Sequence, residues 1–219
     1  MAVTLVDPGV TREKLRRDLE LWKANAERNA RGWVLLDYDE ERLSLELAFL
    51  GALATSAGSG PLPVVACAVR LTYENYDLWP PSLTFIDALT REPAKPHVAA
   101  VVPTPEGPRN VLIDGHPLTQ KPFLCLPGIR EYHSHPQHTG DDWLLHRAAG
   151  EGSLSVICDR IWRFMTKNIA GLHVVIQAQP GWPLRALLQI VIAQNVEGVS
   201  AGSPLMNPGV RGDELIKVA

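Results

Sequence analysis

Only three cysteines occur in 219 residues, too few for a disulfide framework. A basic excess is missing as well. Lys and Arg number 21 against 24 Asp and Glu, a formal charge of -3, so the electrostatic footprint of a nucleic-acid or anionic-membrane binder is absent. There is no long hydrophobic run. The most apolar stretch, Pro183 to Val196, is interrupted by Arg185, Gln189, Gln194 and Asn195, and is too short and too polar to span a bilayer. The opening residues show no charged segment followed by an apolar one, so no secretory signal is expected. Internal repeats and low-complexity tracts are lacking too. What is present is a composition near the globular average, 46% hydrophobic and 21% charged. The expectation is a soluble cytoplasmic protein with one domain over residues 1–219, long enough to bury roughly 70% of its unfolded surface. Composition does not account for one feature: five of the seven histidines lie between His116 and His146.

Hydrophobic spacing organises most of the chain. Leu15, Leu19, Trp22 and Ala26 recur at helical intervals behind Thr11, a candidate cap. Trp33 to Tyr38 is a short apolar run. Leu43, Leu45, Leu47 and Phe49 then alternate with Ser44, Glu46 and Ala48, the pattern of a half-buried strand. Gly51 to Pro63 reads as a loop. Val65, Cys67, Val69, Leu71 and Tyr73 alternate again and turn Cys67 towards a core. After the Trp79-Pro80-Pro81 turn, Leu83 to Ile86 is another strand. The apolar runs Val98–Val102 and Val111–Ile113 flank a Pro103-to-Pro108 turn, an inserted hairpin with His97 at the surface. Leu154, Ile157, Ile161, Phe164 and Met165 mark an amphipathic helix capped by Ser153, with Cys158 on its buried side. Leu172 to Ala178 is expected as a strand and Leu184 to Val196 as a helix. A helix, then a strand meander, then an irregular loop, then helices argues for an α+β fold with an antiparallel sheet.

Residues 116–147 carry the candidate chemistry. Cys125, Glu131, His133, His135 and His138 lie close together in sequence. If Glu131 to His135 is extended, Glu131, His133 and His135 share one face, because side chains alternate with period two. Three ligand-type groups then converge within about 7 Å of chain, at roughly 3.3 Å per residue. His138 and Cys125 are further candidates. Imidazole, thiolate and carboxylate together suit zinc best, with iron as the other option. The competing reading is a structural or proton-handling histidine cluster. Cys125 has a second role open to it as a nucleophile, since a thiolate is reactive and cationic neighbours favour it. A thiolate held on a metal is not free to form a thioester. His116 and His146 are expected to serve local hydrogen bonding.

The order of these motifs resembles the ubiquitin-conjugating-enzyme (UBC) fold. Tyr76, Pro80, Pro81 and Phe85 match that family's Tyr-Pro…Pro-Pro turn. His116-Pro117 matches the start of its His-Pro-Asn motif, Cys125-Leu126 its catalytic Cys-Leu pair, and Trp143 its Trp-containing stretch. The resemblance covers residues 11–170. It leaves a Pro-rich hairpin insertion over 90–115 and a C-terminal extension over 172–219. The Asn that supports the oxyanion in the family is Leu118 here. The distance from Cys125 to Trp143 is about ten residues longer than usual, and the histidines fill the extra length. That combination is similar to a bacterial family of predicted metal-binding proteins named for a Cys-Glu-His-His signature. The resemblance implies Cys125, Glu131 and two among His133, His135 and His138 as zinc ligands, with the pair left open. It also implies a ubiquitin-like protein and a ThiF-type activating enzyme as partners, and Cys125 as a metal ligand or the thioester-forming nucleophile of a transferase.

Two other readings compete. Tyr132-His133-Ser134-His135-Pro136 is similar to the zinc-binding core of JAB/JAMM peptidases, with Asp141 or Asp142 as the third ligand; the spacing to that Asp is shorter than in the family. A cupin-like His-x-His site lacks the following Glu. The last alternative is a non-enzymatic adaptor that holds an activating enzyme or modifier.

Overall fold

The computed structural model describes residues 4–53, 62–96, 98–105, 107–167, 169–179 and 185–194. His97 and the chain from residue 195 onward lie outside the described residues. The first helix, α1 (Pro8–Lys23), begins earlier than its apolar spacing suggests. Asp7 caps it by accepting the Gly9 N–H, and Pro8 supplies the fixed φ of a first helical residue. Thr11 is therefore inside the helix and buried. Its hydroxyl donates to the Tyr76 carbonyl at 3.1 Å. Leu15, Leu19 and Trp22 form the buried stripe, while Ala26 lies beyond the helix, before the single turn α2 (Glu27–Ala30).

Four strands follow as an antiparallel meander in the order β1-β2-β3-β4: β1 (Trp33–Asp39), β2 (Ser44–Leu53), β3 (Leu62–Thr72) and β4 (Ser82–Ile86). Residues 51–53 and 62–63, expected in a loop, are paired strand. The alternation sends Leu45, Leu47, Phe49, Cys67, Val69, Leu71, Leu83 and Phe85 to one face, where they meet α1 and α5 (Leu154–Met165) in one core. The opposite face of β2 is buried too, against the half-buried expectation. Glu46 is held there by Arg70 and by Arg91 at 3.2 Å, and Ala48 packs with Ala68 and Ile86. A bulge between Phe49 and Leu50 shifts the pairing with β3 and leaves Val65 exposed beside buried Cys67.

A hairpin of β5 (Val101–Thr104) and β6 (Gly107–Asn110) forms the Pro-rich insertion. The chain then makes a two-residue pair, β7 (Leu112–Ile113) with β8 (Phe123–Leu124), which delivers Cys125. Helix α5 ends the core, and Asp18 of α1 caps it by accepting the Leu154 N–H at 2.7 Å. Ser153, expected to cap α5, makes no such bond. The next elements are β9 (Ile169–Gln179) and β10 (Arg185–Gln194), an antiparallel hairpin. The helix expected over Leu184–Val196 is thus a strand over Arg185–Gln194. Its near-continuous apolar run fits either period, and pairing with β9 decides for the strand. The fold is α+β, with an N-terminal helix, a four-stranded antiparallel sheet and helices after it. Among the described residues no helix is long and apolar enough to cross a membrane.

Candidate functional site

Residues 130–147 are not extended. They form α3 (Arg130–His133), a 3₁₀ turn over Pro136–His138 and α4 (Trp143–Arg147). The turn 74–81 imposes this course. Arg130 donates its backbone N–H to the Pro81 carbonyl, its Nε to the Pro80 carbonyl and an Nη to the Glu74 carbonyl at 2.7 Å. With a helical turn in place of a strand, Glu131, His133 and His135 no longer share a face. Glu131 points back to the sheet and is buried. One carboxylate oxygen accepts from the Ser82 hydroxyl and the other from the Leu83 N–H at 3.0 Å.

The histidines divide by what their ring nitrogens meet. His116 is fully buried. Its Nδ1 accepts from the Leu118 N–H, so Nε2 carries the proton it gives to the Glu131 carbonyl at 2.9 Å. His133 Nε2 accepts from the Gly128 N–H at 3.2 Å, and Nδ1–H donates to the Asp141 carbonyl at 3.0 Å. Burial pushes the His133 pKa below the ordinary imidazole value. His135 accepts from the Gln137 N–H to cap the 3₁₀ turn, and its ring stacks on Phe123. His138 alone reaches the thiol, with Nε2 3.2 Å from Cys125 Sγ. Its ring stacks on Tyr132 with centroids 3.9 Å apart.

Burial raises the Cys125 pKa, partly offset by the charge of Arg109. Burial and the neighbouring His135 lower that of His138. The resting pair is therefore a neutral thiol beside a neutral imidazole, an arrangement in which His138 accepts the proton as the sulfur becomes a nucleophile. Cys67 and Cys158 are fully buried in the core, and burial pushes their pKa values far up. The separation of Cys125 from the two packing cysteines agrees with the sequence reading.

Behind the pair runs a chain of polar groups that residue spacing did not reveal. Tyr132 OH donates to Asp141 Oδ2 at 2.5 Å. His146 binds Asp141 Oδ1 through Nε2 at 2.5 Å and Glu151 through Nδ1 at 2.9 Å. Arg160 reaches Glu151 at 3.2 Å and the Pro127 carbonyl at 2.5 Å. His146 does serve local bonding, as expected. With a carboxylate on each nitrogen it is held as an imidazolium, its pKa raised by Asp141 first and Glu151 second. Two tight approaches fix this part of the loop. Gly128, at φ 95°, lies so near the Glu151 carbonyl that a Cβ there would come within 2.3 Å. Gly152 lies so close to the Trp143 ring that a Cβ there would come within 2.4 Å of it. Trp143 Nε1 donates to the Asp77 carbonyl at 2.9 Å, and the Asp77 carboxylate is paired with Lys14 of α1 and Arg147 of α4.

The proposed ligands therefore do not converge. Of Cys125, Glu131, His133, His135 and His138, only Cys125 and His138 touch through ligand atoms. Among the described residues no group of three or more His, Cys, Asp or Glu side chains is arranged to hold a metal ion. The peptidase-type set is dispersed as well. Asp141 serves Tyr132 and His146, and Asp142 caps α4 by accepting the Leu144 N–H. One residue that sequence reasoning passed over bears on the thiol through its charge. Arg109 lies within β6, two residues before Val111, whose carbonyl accepts the Cys125 N–H at 2.8 Å.

A family model, Y4jH-like (Y4jH family), matches residues 6–103 and 109–169. The chain belongs to the Y4jH family. It is similar to the protein y4jH of Sinorhizobium fredii (strain NBRC 101917 / NGR234), 32% identical over 196 residues that cover 80% of this chain and 92% of that one. The stretch matched to the Y4jH family contains the whole site, from Arg109 through Cys125 and the histidine loop to Arg160, and ends where β9 begins.

Proposed function

We propose that this Y4jH-family protein is a ubiquitin-conjugating-enzyme-like acyl carrier of a bacterial ubiquitin-like modification pathway, with Cys125 as the nucleophile and His138 as its base. The observation that carries this reading is the 3.2 Å contact between Cys125 Sγ and His138 Nε2, in a pair whose resting forms are both neutral. The element order supports it. A helix, a four-stranded meander, buried His116, Cys125 after a short strand, Trp143 and the helix α5 follow the sequence of parts in the UBC fold. His116 also has a structural job here, since it fixes the carbonyl of Glu131 beneath the loop.

The step is a transthioesterification. Sγ attacks the carbonyl carbon of a ubiquitin-like protein carried as a thioester by a ThiF-type activating enzyme. A new C–S bond forms, the bond to the activating enzyme's sulfur breaks, and the Cys125 proton passes through His138 to that leaving thiolate. An amine of the target then takes the acyl group and Cys125 is released as the thiol. The nucleophile role for Cys125 is favoured here over the zinc-ligand role by what two of the candidate ligands already bind. Glu131 is spent on β4, and both ring nitrogens of His133 are spent on backbone groups.

Incubation with a cognate activating enzyme, its ubiquitin-like protein and ATP tests the reading. A thiol-sensitive adduct is expected on the wild type and none on Cys125→Ala. His138→Gln is expected to slow its formation about 100-fold, the low end for loss of a general base. Absence of any adduct would favour the adaptor. Stoichiometric zinc in the purified protein, lost in Cys125→Ala, would favour the ligand role.

A further inference from the structure

Acyl transfer through Cys125 passes through a tetrahedral species whose oxygen carries negative charge, and preorganised donors or cations at that oxygen usually supply the largest rate term. The backbone amides around the thiol are already committed. Cys125 N–H goes to the Val111 carbonyl at 2.8 Å, Leu126 N–H to the Leu124 carbonyl at 3.0 Å and Gly128 N–H to His133 at 3.2 Å. Pro127 has no N–H. Leu118, which stands where the UBC resemblance places an Asn, is apolar and 69% exposed. Tyr132 OH is on Asp141, and His138 Nε2 faces the sulfur.

Arg109 is left. Its side chain is exposed and makes no ion pair or hydrogen bond among the described residues. It is a paired residue of β6, two residues ahead of Val111, whose carbonyl holds Cys125 in place. Its positive charge bears on both Cys125 and His138. A guanidinium with no carboxylate partner among the described residues, whose charge reaches a thiol flanked by committed amides, has the chemistry of an oxyanion clamp.

We propose that Arg109 is a catalytic residue of this site: its guanidinium binds the carbonyl oxygen of the acyl group that Cys125 takes up and stabilises the developing oxyanion. The inference rests on the acyl-carrier reading and adds a component that the His-Pro-Asn comparison lacks. It places the Pro-rich hairpin, an insertion by sequence, in the active site as the element that carries the clamp.

Two small reagents test it on the intact protein without a partner. p-Nitrophenyl acetate acetylates a thiol through an oxyanion: Sγ forms the C–S bond, p-nitrophenolate leaves with the electron pair, and His138 takes the proton. Iodoacetamide alkylates the same sulfur at a saturated carbon, displacing iodide, with no oxyanion. Cys67 and Cys158 are buried and do not compete. Arg109→Leu is expected to slow acetylation about 10-fold, a modest value for an exposed donor, while alkylation stays within about 2-fold. Arg109→Lys should recover most of the loss, because it returns the charge. An unchanged melting curve for Arg109→Leu establishes that the fold is intact. Equal slowing of both reagents, or of neither, overturns the clamp. So does selective slowing in His135→Gln with none in Arg109→Leu, which would assign the role to His135. Wild-type Cys125 that alkylates but does not acetylate overturns the carrier reading itself, and the clamp with it.

Discussion

The sheet-and-helix core and the histidine loop are held by different physics. In the core, Leu15, Trp22, Phe49, Leu71 and Ile161 are essentially free of solvent and pack against one another, with direction supplied by strand and helix period. In the loop from Val111 to Gly152, order comes from polar atoms that each meet a specific partner. His133 bridges Gly128 and Asp141, His116 holds the Glu131 carbonyl, and His146 lies between two carboxylates. Packed methylenes tolerate small displacements, since dispersion is non-directional and spread over many contacts. Hydrogen-bonded rings do not, because a buried donor without its acceptor costs more than the bond was worth. A site built on the second kind of scaffold is placed more exactly and is lost more easily.

The comparison can be broken from the core side first. Phe49→Ala opens a cavity in the centre of the sheet and should cost about 3–5 kcal/mol. Chemical denaturation should show it as one cooperative loss of the whole fold, with Cys67 and Cys158, shielded in the native state, becoming reactive together. A loop that stayed ordered after the core had gone would overturn the picture. Next in size is Gly128→Ala. A left-handed φ of 95° and a Cβ 2.3 Å from the Glu151 carbonyl should together cost about 2 kcal/mol. Here the signature is local: amide exchange around 126–152 should accelerate well before that of β2 and β3. Equal acceleration in both regions would show that loop and core unfold as one unit.

The smallest effect is a titration. His146 and His133 have ring centroids 5.0 Å apart, yet their environments drive them in opposite directions. Asp141 and Glu151 raise His146, so its contribution to loop stability is complete below the ordinary imidazole value, about 6.5, and fades as pH rises through its raised value. Burial lowers His133, so its contribution is complete above about 6.5 and fades as pH falls through its lowered value. Asp141, lowered by Tyr132 and then His146, contributes above the ordinary carboxylate range and loses that contribution in acid. Proton NMR should find the two imidazoles titrating on either side of about 6.5. In His146→Gln the alkaline loosening should vanish while the acid limb of His133 remains. Parallel titration of the two rings would sink the assignment.

Legibility in the sequence follows the same division. Helix α1, strands β1 to β4 and helix α5 were readable because burial imposes a period on neighbours in the chain, and Cys67 and Cys158 fell on the right faces for that reason. The start of α1 was missed because Asp7 and Pro8 precede the apolar stripe. The Leu184–Val196 segment was misread as helix because its apolar run lacks a clear period, and the deciding partner, β9, is a separate segment of chain. In the site, the sequence singled out Cys125 and His138, which do meet. It gave Glu131 to the same cluster because the residues are near in the chain, whereas Ser82 and Leu83, nearly fifty residues earlier, claim that carboxylate. A hydrogen bond to a distant backbone leaves no period behind it, so α3, the Tyr132–Asp141–His146–Glu151 chain and the placement of Arg109 were not to be found by spacing.

Asp77 gives the molecule a further property. Its carboxylate holds Lys14 at one side and Arg147 at the other, its carbonyl takes Trp143, and the adjoining Tyr76 carbonyl takes Thr11. One short turn thus moors the first helix and the histidine loop to the same post. Anyone trimming the protein to a minimal working unit would find that α1, which carries none of the chemistry, belongs to the reactive end of the molecule. Cutting it away would set the thiol's surroundings adrift along with the sheet face that Leu15, Leu19 and Trp22 cover.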